Sequence, residues 1–350
     1  MANTVANARP SGRINYLDLA KGIAIIMVVW VHAQGPLDHY FCQPVVPLFF
    51  LISGLLYKKE VPLKKFVIRR IQGLYIPYVF WNVVIHTFAA LKQGDTIEKV
   101  LKYDINIFLL RYKDGQFLGA SWFLASLFII SVLYKVVDTL VKESEYKDIF
   151  MLFIFGTLAM IAFGETLPYT MSRTFILGFF YPLGVFTAKH KNKLAGLDGC
   201  GTAVISILLF IWITYYERPN FAKNTYVHPL LFMIASAFFC YAMLYWCRWL
   251  DSLHGRVFSC SNKVLLVLGS RSLDIMLFHF IAFRFVIIIQ MLLHHEAISP
   301  YNILQYYPVY SPEGLWWLAY VLVGLVGPLL FGAFLRMKPW GGLVKKLHII

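Results

Sequence analysis

The stretch "YLDLAKGIAIIMVVWVHAQG", residues 16–35, is an apolar run that contains three ionisable side chains. Its length is close to the roughly 20 residues that an α-helix needs to cross a hydrocarbon layer of about 30 Å. Asp18, Lys21 and His32 lie inside the run, and a charged side chain at the centre of such a helix costs about 2.5–3.5 kcal/mol on insertion scales. The stretch therefore predicts a transmembrane helix with one polar side that faces the interior of the protein.

Composition extends this prediction to the whole chain of 350 residues. Hydrophobic residues make up 59% and charged residues only 14%, whereas soluble globular proteins carry about 25% charged residues. We predict an all-α fold, a polytopic transmembrane helical bundle of about ten spans. The predicted spans are 16–35, 41–57, 72–91, 118–134, 149–164, 171–187, 201–216, 227–247, 264–293 and 314–335.

The positive charges predict the orientation of this bundle. With the N-terminus in the cytoplasm, 21 Lys and Arg residues fall in the tails and connections of the cytoplasmic side and 8 in those of the other side. This asymmetry follows the positive-inside rule, so we expect both termini in the cytoplasm and a multi-pass protein of the inner membrane. The net charge of +14 is then a topology signal, and no nucleic-acid partner is expected. We divide the chain into a cytoplasmic N-terminal tail (1–15), a single transmembrane domain (16–337) and a cytoplasmic C-terminal tail (338–350).

The polar residues of the first span share one face of the predicted helix. Lys21 and His32 are eleven positions apart, which places them about 20° apart around the axis and about 16 Å apart along it. Asp18 and Lys21, at i and i+3, are neighbours on that face. Two interpretations of this pair are open, an ion pair at the membrane interface or part of a functional site. His32 is either an interhelical hydrogen-bond partner or a proton-transfer group, since imidazole titrates near neutrality.

Five segments, spread in order over most of the chain, resemble the acyltransferase-3 family of membrane proteins. This family includes bacterial O-acetyltransferases of surface sugars and relatives of fucose 4-O-acetylase. The segments are "YLDLAKGIAIIMVVWVHA" (16–33), "PLFFLISGLLYKK" (47–59), "RRIQGLYIPYVFWN" (69–82), "SWFLASLF" (121–128) and "LGSRSLDIMLFHF" (268–280).

The resemblance implies O-acyl transfer by a first-helix histidine. The family has a basic residue, usually Arg, eleven positions before an essential His, and Lys21 and His32 match that spacing. His32 is then the expected general base or acyl carrier, with Lys21 and Asp18 completing the catalytic set. The implied donor is acetyl-CoA bound from the cytoplasm, and the implied acceptor is a sugar hydroxyl of a cell-surface glycan or glycolipid.

The basic segment "KKEVPLKKFVIRR", residues 58–70, is the expected binding region of the anionic donor. Arg69 and Arg70 are the first candidates for its phosphates, because Arg binds phosphate through two parallel hydrogen bonds, and Lys65 is the third. Positive-inside bias and attraction to anionic lipid explain the same charges equally well. Gly73 stands three residues after Arg70, where the family often carries a second Arg.

Candidate substrate contacts come from three later segments. His279 and Ser272, seven residues apart, share a helical face, and Arg284 and Trp122 complete the set. Two of them have a structural alternative: an interhelical hydrogen bond for His279 and an interface anchor for Trp122. We also expect Arg271 to pair with Asp274 at i and i+3, and Arg284 to face either a cavity or a carboxylate such as Glu165 or Asp18. The Tyr-rich residues 301–310 are expected on the outer face.

A different functional class remains open. Buried His, Asp and Lys side chains also suit a proton-coupled transporter or glycan exporter, but such a protein needs no donor-binding basic segment. The five cysteines show no paired metal-ligand spacing, so no metal is expected.

Overall fold

Helices joined by short connections make up the described part of the chain, residues 15–111, 117–164, 167–168, 171–216, 225–253 and 256–350 of a computed structural model. In chain order they are α1 (Asn15–His32), α2 (Asp38–Leu55), α3 (Leu63–Arg70), α4 (Ile76–Lys92), α5 (Ile97–Phe108), α6 (Trp122–Leu140), α7 (Lys147–Gly164), α8 (Met171–Gly178), α9 (Phe180–Lys189), α10 (Lys191–Leu194), α11 (Cys200–Tyr216), α12 (Pro229–Ser252), α13 (Arg256–Ser270), α14 (Ser272–Leu293), α15 (Pro300–Gln305), α16 (Trp316–Leu335) and α17 (Trp340–Lys346).

The predicted polytopic helical bundle is confirmed. Six helical segments are long and apolar enough to cross a membrane in the described residues, namely α1, Leu63–Lys92, α6, α12, α14 and α16. A seventh is obtained if Lys191–Leu197 and Cys200–Tyr216, which meet at 80°, form one bent span. The larger count of about ten spans, the cytoplasmic termini and the domain limits 1–15, 16–337 and 338–350 stay predictions.

Two of the predicted spans are broken helices. The span 264–293 is divided at Arg271 into α13 and α14, and the span 171–187 is divided at Phe179 into α8 and α9. The break at the exposed Arg271 separates α13, which packs against α1, from α14, which packs mainly against α16. Conversely, α3 and α4 are joined by a π-helical turn, Ile71–Tyr75, into one continuous segment.

α1 lies at the centre of the bundle and packs against α2, α12, α13, α14 and α16. Its tightest contact is with α13, where glycines let the two backbones touch. A Cβ atom added at Gly22 would collide with the Leu265 carbonyl, and one added at Gly269 would collide with the Asp18 carbonyl. Small residues allow such close approach between membrane helices. The contact therefore sets the position of α13, and of the chain that follows it, relative to α1.

A second close backbone contact, also at glycines, joins α2 to α9. A Cβ atom at Gly54 would collide with the Tyr181 carbonyl, and one at Gly184 would collide with the Leu51 carbonyl. Each helix thus supplies one glycine and one carbonyl to the contact. Two glycine-mediated crossings fix four helices of the bundle.

Charged contacts tie together one end of the bundle. Lys59, after α2, lies 2.6 Å from Glu143 in the α6–α7 connection, and Lys189 at the end of α9 lies 2.7 Å from Asp148 in α7. Hydrogen bonds from Lys147 and Lys59 lower the pKa of Glu143 to about 2. These connections are the ones that the positive-inside pattern assigns to the cytoplasm, and they contact one another in the structure.

Replacing Gly22 by Ala should weaken the bundle, because the new methyl group must push α13 away from α1. Overpacking of this kind costs about 1–3 kcal/mol, and the loss should appear as a lower midpoint of thermal or denaturant unfolding in detergent. Gly201→Ala on α11 is the matched control, since a Cβ atom there meets nothing within 4 Å. Equal stability of Gly22→Ala and Gly201→Ala would contradict the close contact.

Candidate active site

Two histidines from distant parts of the chain meet inside the bundle. His32 is the last residue of α1, and His279 lies on α14. Nδ1 of His32 is 2.9 Å from Nε2 of His279, and the rings stack with their centroids 5.0 Å apart. The side chain of His279 is fully buried, whereas that of His32 is half-buried. The structure thus brings together the two histidines that the sequence predicted as site residues.

A backbone carbonyl decides which nitrogen of the pair is free to act as a base. Nδ1 of His279 lies 2.8 Å from the carbonyl oxygen of Ile275, and a carbonyl only accepts, so this nitrogen carries the hydrogen. Nε2 of the neutral His279 ring then accepts the hydrogen bond donated by Nδ1–H of His32. Nε2 of His32 is left with its lone pair. The pair is therefore ordered so that one defined nitrogen can take up a proton.

Aromatic side chains connect this pair to the protein surface. The Phe280 ring lies 4.7 Å from that of His32, and Tyr307 stacks on Phe280 at 5.2 Å. Tyr307 is 40% exposed. The series Tyr307–Phe280–His32 runs inward from the end of the bundle opposite the charged contacts. Neither Phe280 nor Tyr307 is among the site residues predicted from the sequence, although Phe280 adjoins His279 and Tyr307 lies in the Tyr-rich segment.

Arg284 holds the segment that carries Tyr307. It donates hydrogen bonds to the carbonyls of Ile303 (2.9 Å) and Tyr306 (2.8 Å), and its guanidinium lies 5.7 Å from the Tyr307 ring centre. Asp18, one of the two carboxylates considered as partners of Arg284, pairs with Lys21. The other suggestion, Glu165, lies outside the described residues. An arginine with several donors can meet backbone carbonyls as well as carboxylates, so Arg284 positions this loop.

The loop is further closed by a carboxylate. Glu296 accepts hydrogen bonds from the hydroxyls of Tyr306 (2.8 Å) and Tyr310 (2.7 Å). The bond to Glu296 is the main cause that raises the pKa of Tyr310 to about 12, and the bonds from Tyr310 and Tyr306 lower the pKa of Glu296. Tyr306, Tyr307 and Tyr310 therefore form an ordered layer above the site.

The predicted pair at the start of α1 is present. Lys21 lies 2.6 Å from Asp18, and Asp18 is buried while Lys21 is half-buried. Along the helix Lys21 is about 16 Å and Asp18 about 21 Å from His32, so neither contacts the two histidines. Ser272, the first residue of α14, is likewise about 10 Å from His279 along its axis.

The expected ion pair between Arg271 and Asp274 is wrong. Asp274 is bound instead by Arg336, whose guanidinium donates two hydrogen bonds of 2.8 Å to the carboxylate oxygens. The i, i+3 rule assumes a continuous helix, and the helix breaks at Arg271, whose side chain is exposed. Asp274 is 1% exposed, so this pair joins α14 firmly to the end of α16.

The three candidate donor-binding residues lie on α3 but point in different directions. Arg70 donates to the Tyr181 hydroxyl at 3.4 Å and lies over the Phe66 ring, whereas Lys65 and Arg69 are exposed. Arg69 borders a cavity of about 260 Å³. The cavity is also lined by Gln72, Gly73, Pro77, Leu273, His348 and Ile350.

Trp122, the remaining candidate, begins α6 and lies under a cation. The Arg173 guanidinium is 4.5 Å from the centre of the Trp122 ring, and Arg173 on α8 is buried. Trp122 therefore joins α6 to α8 as well as being a candidate substrate contact. In the part of the chain that the structure describes, no group of three or more His, Cys, Asp or Glu side chains is placed to hold a metal ion.

Comparison with known proteins gives one match. The sequence model of a protein family described as an acyltransferase domain matches residues 14–336, which is nearly the whole chain. No curated protein and no solved structure matches the chain.

Loss of the guanidinium at Arg336 should destabilise the protein, because the buried Asp274 carboxylate would lose its charge partner. Breaking a buried ion pair costs about 3–5 kcal/mol, which denaturant unfolding in detergent would measure for Arg336→Ala. Arg336→Lys keeps the charge without the bidentate geometry and should lose less.

Arg271→Ala is the control for this measurement. Arg271 is exposed, and an exposed substitution away from such a pair changes stability by less than about 0.5 kcal/mol. If Arg336→Ala were as stable as Arg271→Ala, the pairing of Asp274 with Arg336 would be contradicted.

Proposed function

The chain belongs to the acyltransferase-3 family, and from this membership we propose that it is a membrane O-acetyltransferase. It transfers an acetyl group from cytoplasmic acetyl-CoA to a sugar hydroxyl of a cell-surface glycan or glycolipid. We place the protein in the inner membrane, with the donor side at the charged end of the bundle. The observation that carries the proposal is the ordered His32–His279 pair, which leaves a basic nitrogen on His32.

In the proposed reaction, His32 first accepts one proton and later donates it. Its Nε2 takes the proton of the acceptor hydroxyl as the sugar oxygen attacks the acetyl carbonyl of the thioester. The tetrahedral intermediate collapses by breaking the C–S bond, and the CoA thiolate leaves and takes the proton back from His32. His279 holds the orientation of the His32 ring throughout, because its Nε2 accepts the hydrogen bond from Nδ1.

The same nitrogen also supports a two-step route with an acyl carrier. Nε2 of His32 attacks the thioester, the C–S bond breaks, and CoA leaves as the thiolate, which gives an acetyl-imidazolium that keeps its hydrogen on Nδ1. The sugar hydroxyl then attacks the acetyl carbon, the C–N bond breaks and restores the lone pair of Nε2, and the hydroxyl proton passes to the CoA thiolate. Both routes need the lone pair on Nε2 and the hydrogen on Nδ1. They differ in one measurable respect, since only the carrier route labels the protein in the absence of an acceptor.

We assign the remaining candidate residues to the two sides of this pair. Lys21 and Asp18, about 16 Å and about 21 Å from His32 along α1, belong to the path of the donor, together with Ser272 at the start of α14. The exposed Arg69 and Lys65 bind the donor phosphates, and Arg70 positions α3 against Tyr181. On the acceptor side, Tyr307 offers an aromatic face of the kind on which sugar rings stack, and Arg284 holds its loop. Trp122 is assigned to this acceptor side.

Wild-type protein in lipid nanodiscs should transfer label from radiolabelled acetyl-CoA to a member of a glycan panel, and His32→Ala should abolish the transfer. Loss of a general base reduces a rate by about 10²–10⁴-fold. His279→Ala should also lose most activity. His279→Gln should retain more, because its side-chain carbonyl can accept the hydrogen bond from Nδ1 of His32.

His86→Ala is the matched control, since His86 is bonded to Asp104 rather than to the site. Transfer of the label that persists in His32→Ala would contradict the assignment of His32 as the base. Labelled protein in the absence of acceptor would indicate the carrier route. Movement of a solute or glycan in proteoliposomes without acetyl-CoA would favour the transporter or exporter instead.

A further inference from the structure

The cavity next to Arg69 lies at the end of the bundle where the donor would arrive. Its volume is about 260 Å³, slightly below the range of about 300–1,000 Å³ that is usual for whole small-molecule ligands. Leu273 in its wall is the second residue of α14, so the amino end of that 22-residue helix borders the cavity. A helix amino end favours negative charge. The cavity therefore suits an anionic part of a larger ligand.

Gly73 keeps one side of this cavity open. It lies in the π-helical turn Ile71–Tyr75, and a Cβ atom placed on it would meet nothing within 4 Å. Short π-helical turns are frequent at functional sites. The first atom of a side chain at position 73 would therefore have room, and the glycine leaves this space unfilled.

His348 enters the cavity from the C-terminal segment, residues 340–350. After α17, the N–H of Ile349 is bonded to the Val344 carbonyl and His348 has a φ of 55°, as in the Schellman ending of a helix. Glycine is the usual residue at this left-handed position because it has no Cβ atom. A histidine at this position has a strained backbone conformation, and its side chain lines the cavity.

The neighbouring residue fixes this segment to the bundle. Ile349 is buried, and its carbonyl accepts a 2.8 Å hydrogen bond from Nε1 of Trp81. The Trp81 ring packs edge-on against Phe278 on α14. His348 is therefore held beside α4 and α14.

We infer that this cavity binds a phosphate group of the acyl donor, and that His348 is a donor-binding residue together with Arg69. The Arg69 guanidinium supplies bidentate hydrogen bonds to phosphate oxygens, and an imidazole N–H of His348 adds another. The C-terminal segment is then part of the donor site. This inference depends on the proposed function for the identity of the ligand, since a lipid headgroup carries the same phosphate chemistry.

The test is the dissociation constant of CoA, measured by calorimetry on full-length protein in phosphatidylcholine nanodiscs. His348→Gly should weaken CoA binding about tenfold, the effect of losing a hydrogen bond to a charged group. The same change removes the strain at position 348, so its unfolding midpoint should not fall. Lys346→Ala, an exposed cation of the same segment, should leave CoA binding unchanged.

A second variant distinguishes binding from a merely structural role. Gly73→Arg, made in the His348→Gly protein, should restore much of the lost affinity, because it returns a phosphate-binding side chain to the cavity from another wall. Restoration would support the assignment, and a further loss would count against it.

The remaining outcomes distinguish a failure of the proposed function from a failure of this inference alone. If wild-type protein does not bind CoA, the proposed function falls together with this inference. If CoA binds equally to wild type and His348→Gly, the inference is overturned and the function stands. A His348→Gly defect that appears only as weaker association with phosphatidylglycerol, with CoA binding intact, would assign the cavity to a lipid headgroup and overturn the inference.

Discussion

The close approach of α1 and α13 at Gly22 and Gly269 is the constraint on which the rest of the structure depends. It lies only two residues before the break at Arg271, so it fixes where α14 begins relative to α1. From that start, seven residues of helix bring His279 to the level of His32. The bidentate pair between Arg336 and Asp274 then fastens the same end of α14 to α16. A small shift of the backbones at the glycines would separate the two imidazoles.

The histidine pair shows how an apolar interior can order a proton-transfer group. A buried N–H without an acceptor is costly, and each hydrogen in this series has one: the Ile275 carbonyl for His279 and the His279 ring for His32. A single backbone carbonyl, one helical turn before His279, thereby fixes the protonation pattern of both rings. This pattern leaves the lone pair of His32 on Nε2, the nitrogen that is free to react.

Local rules of sequence found much of this site, and long-range packing accounts for what they missed. The ion pair of Asp18 and Lys21 follows from helical spacing, and His32 follows from its depth in an apolar run. The contact of His32 with His279 joins residues 247 positions apart, which no periodicity predicts. The expected partner of Asp274 was wrong because a helix break at Arg271 cannot be seen in an unbroken apolar pattern. The role of His348 required the fold of the C-terminal segment, since nothing in its spacing relates it to Arg69.

The position of His32 in the last turn of α1 has a consequence for charge. The peptide dipoles of a helix sum to a partial negative charge at its carboxyl end, where cations are stabilised by typically 0.3–1 kcal/mol, and up to about 2 kcal/mol when partly buried. An imidazolium formed at His32 would therefore be met by the macrodipole of the helix that carries it. Burying a positive charge at this depth in the membrane costs free energy. The partial negative charge at the carboxyl end of α1 reduces that cost at His32, the residue where the charge would form.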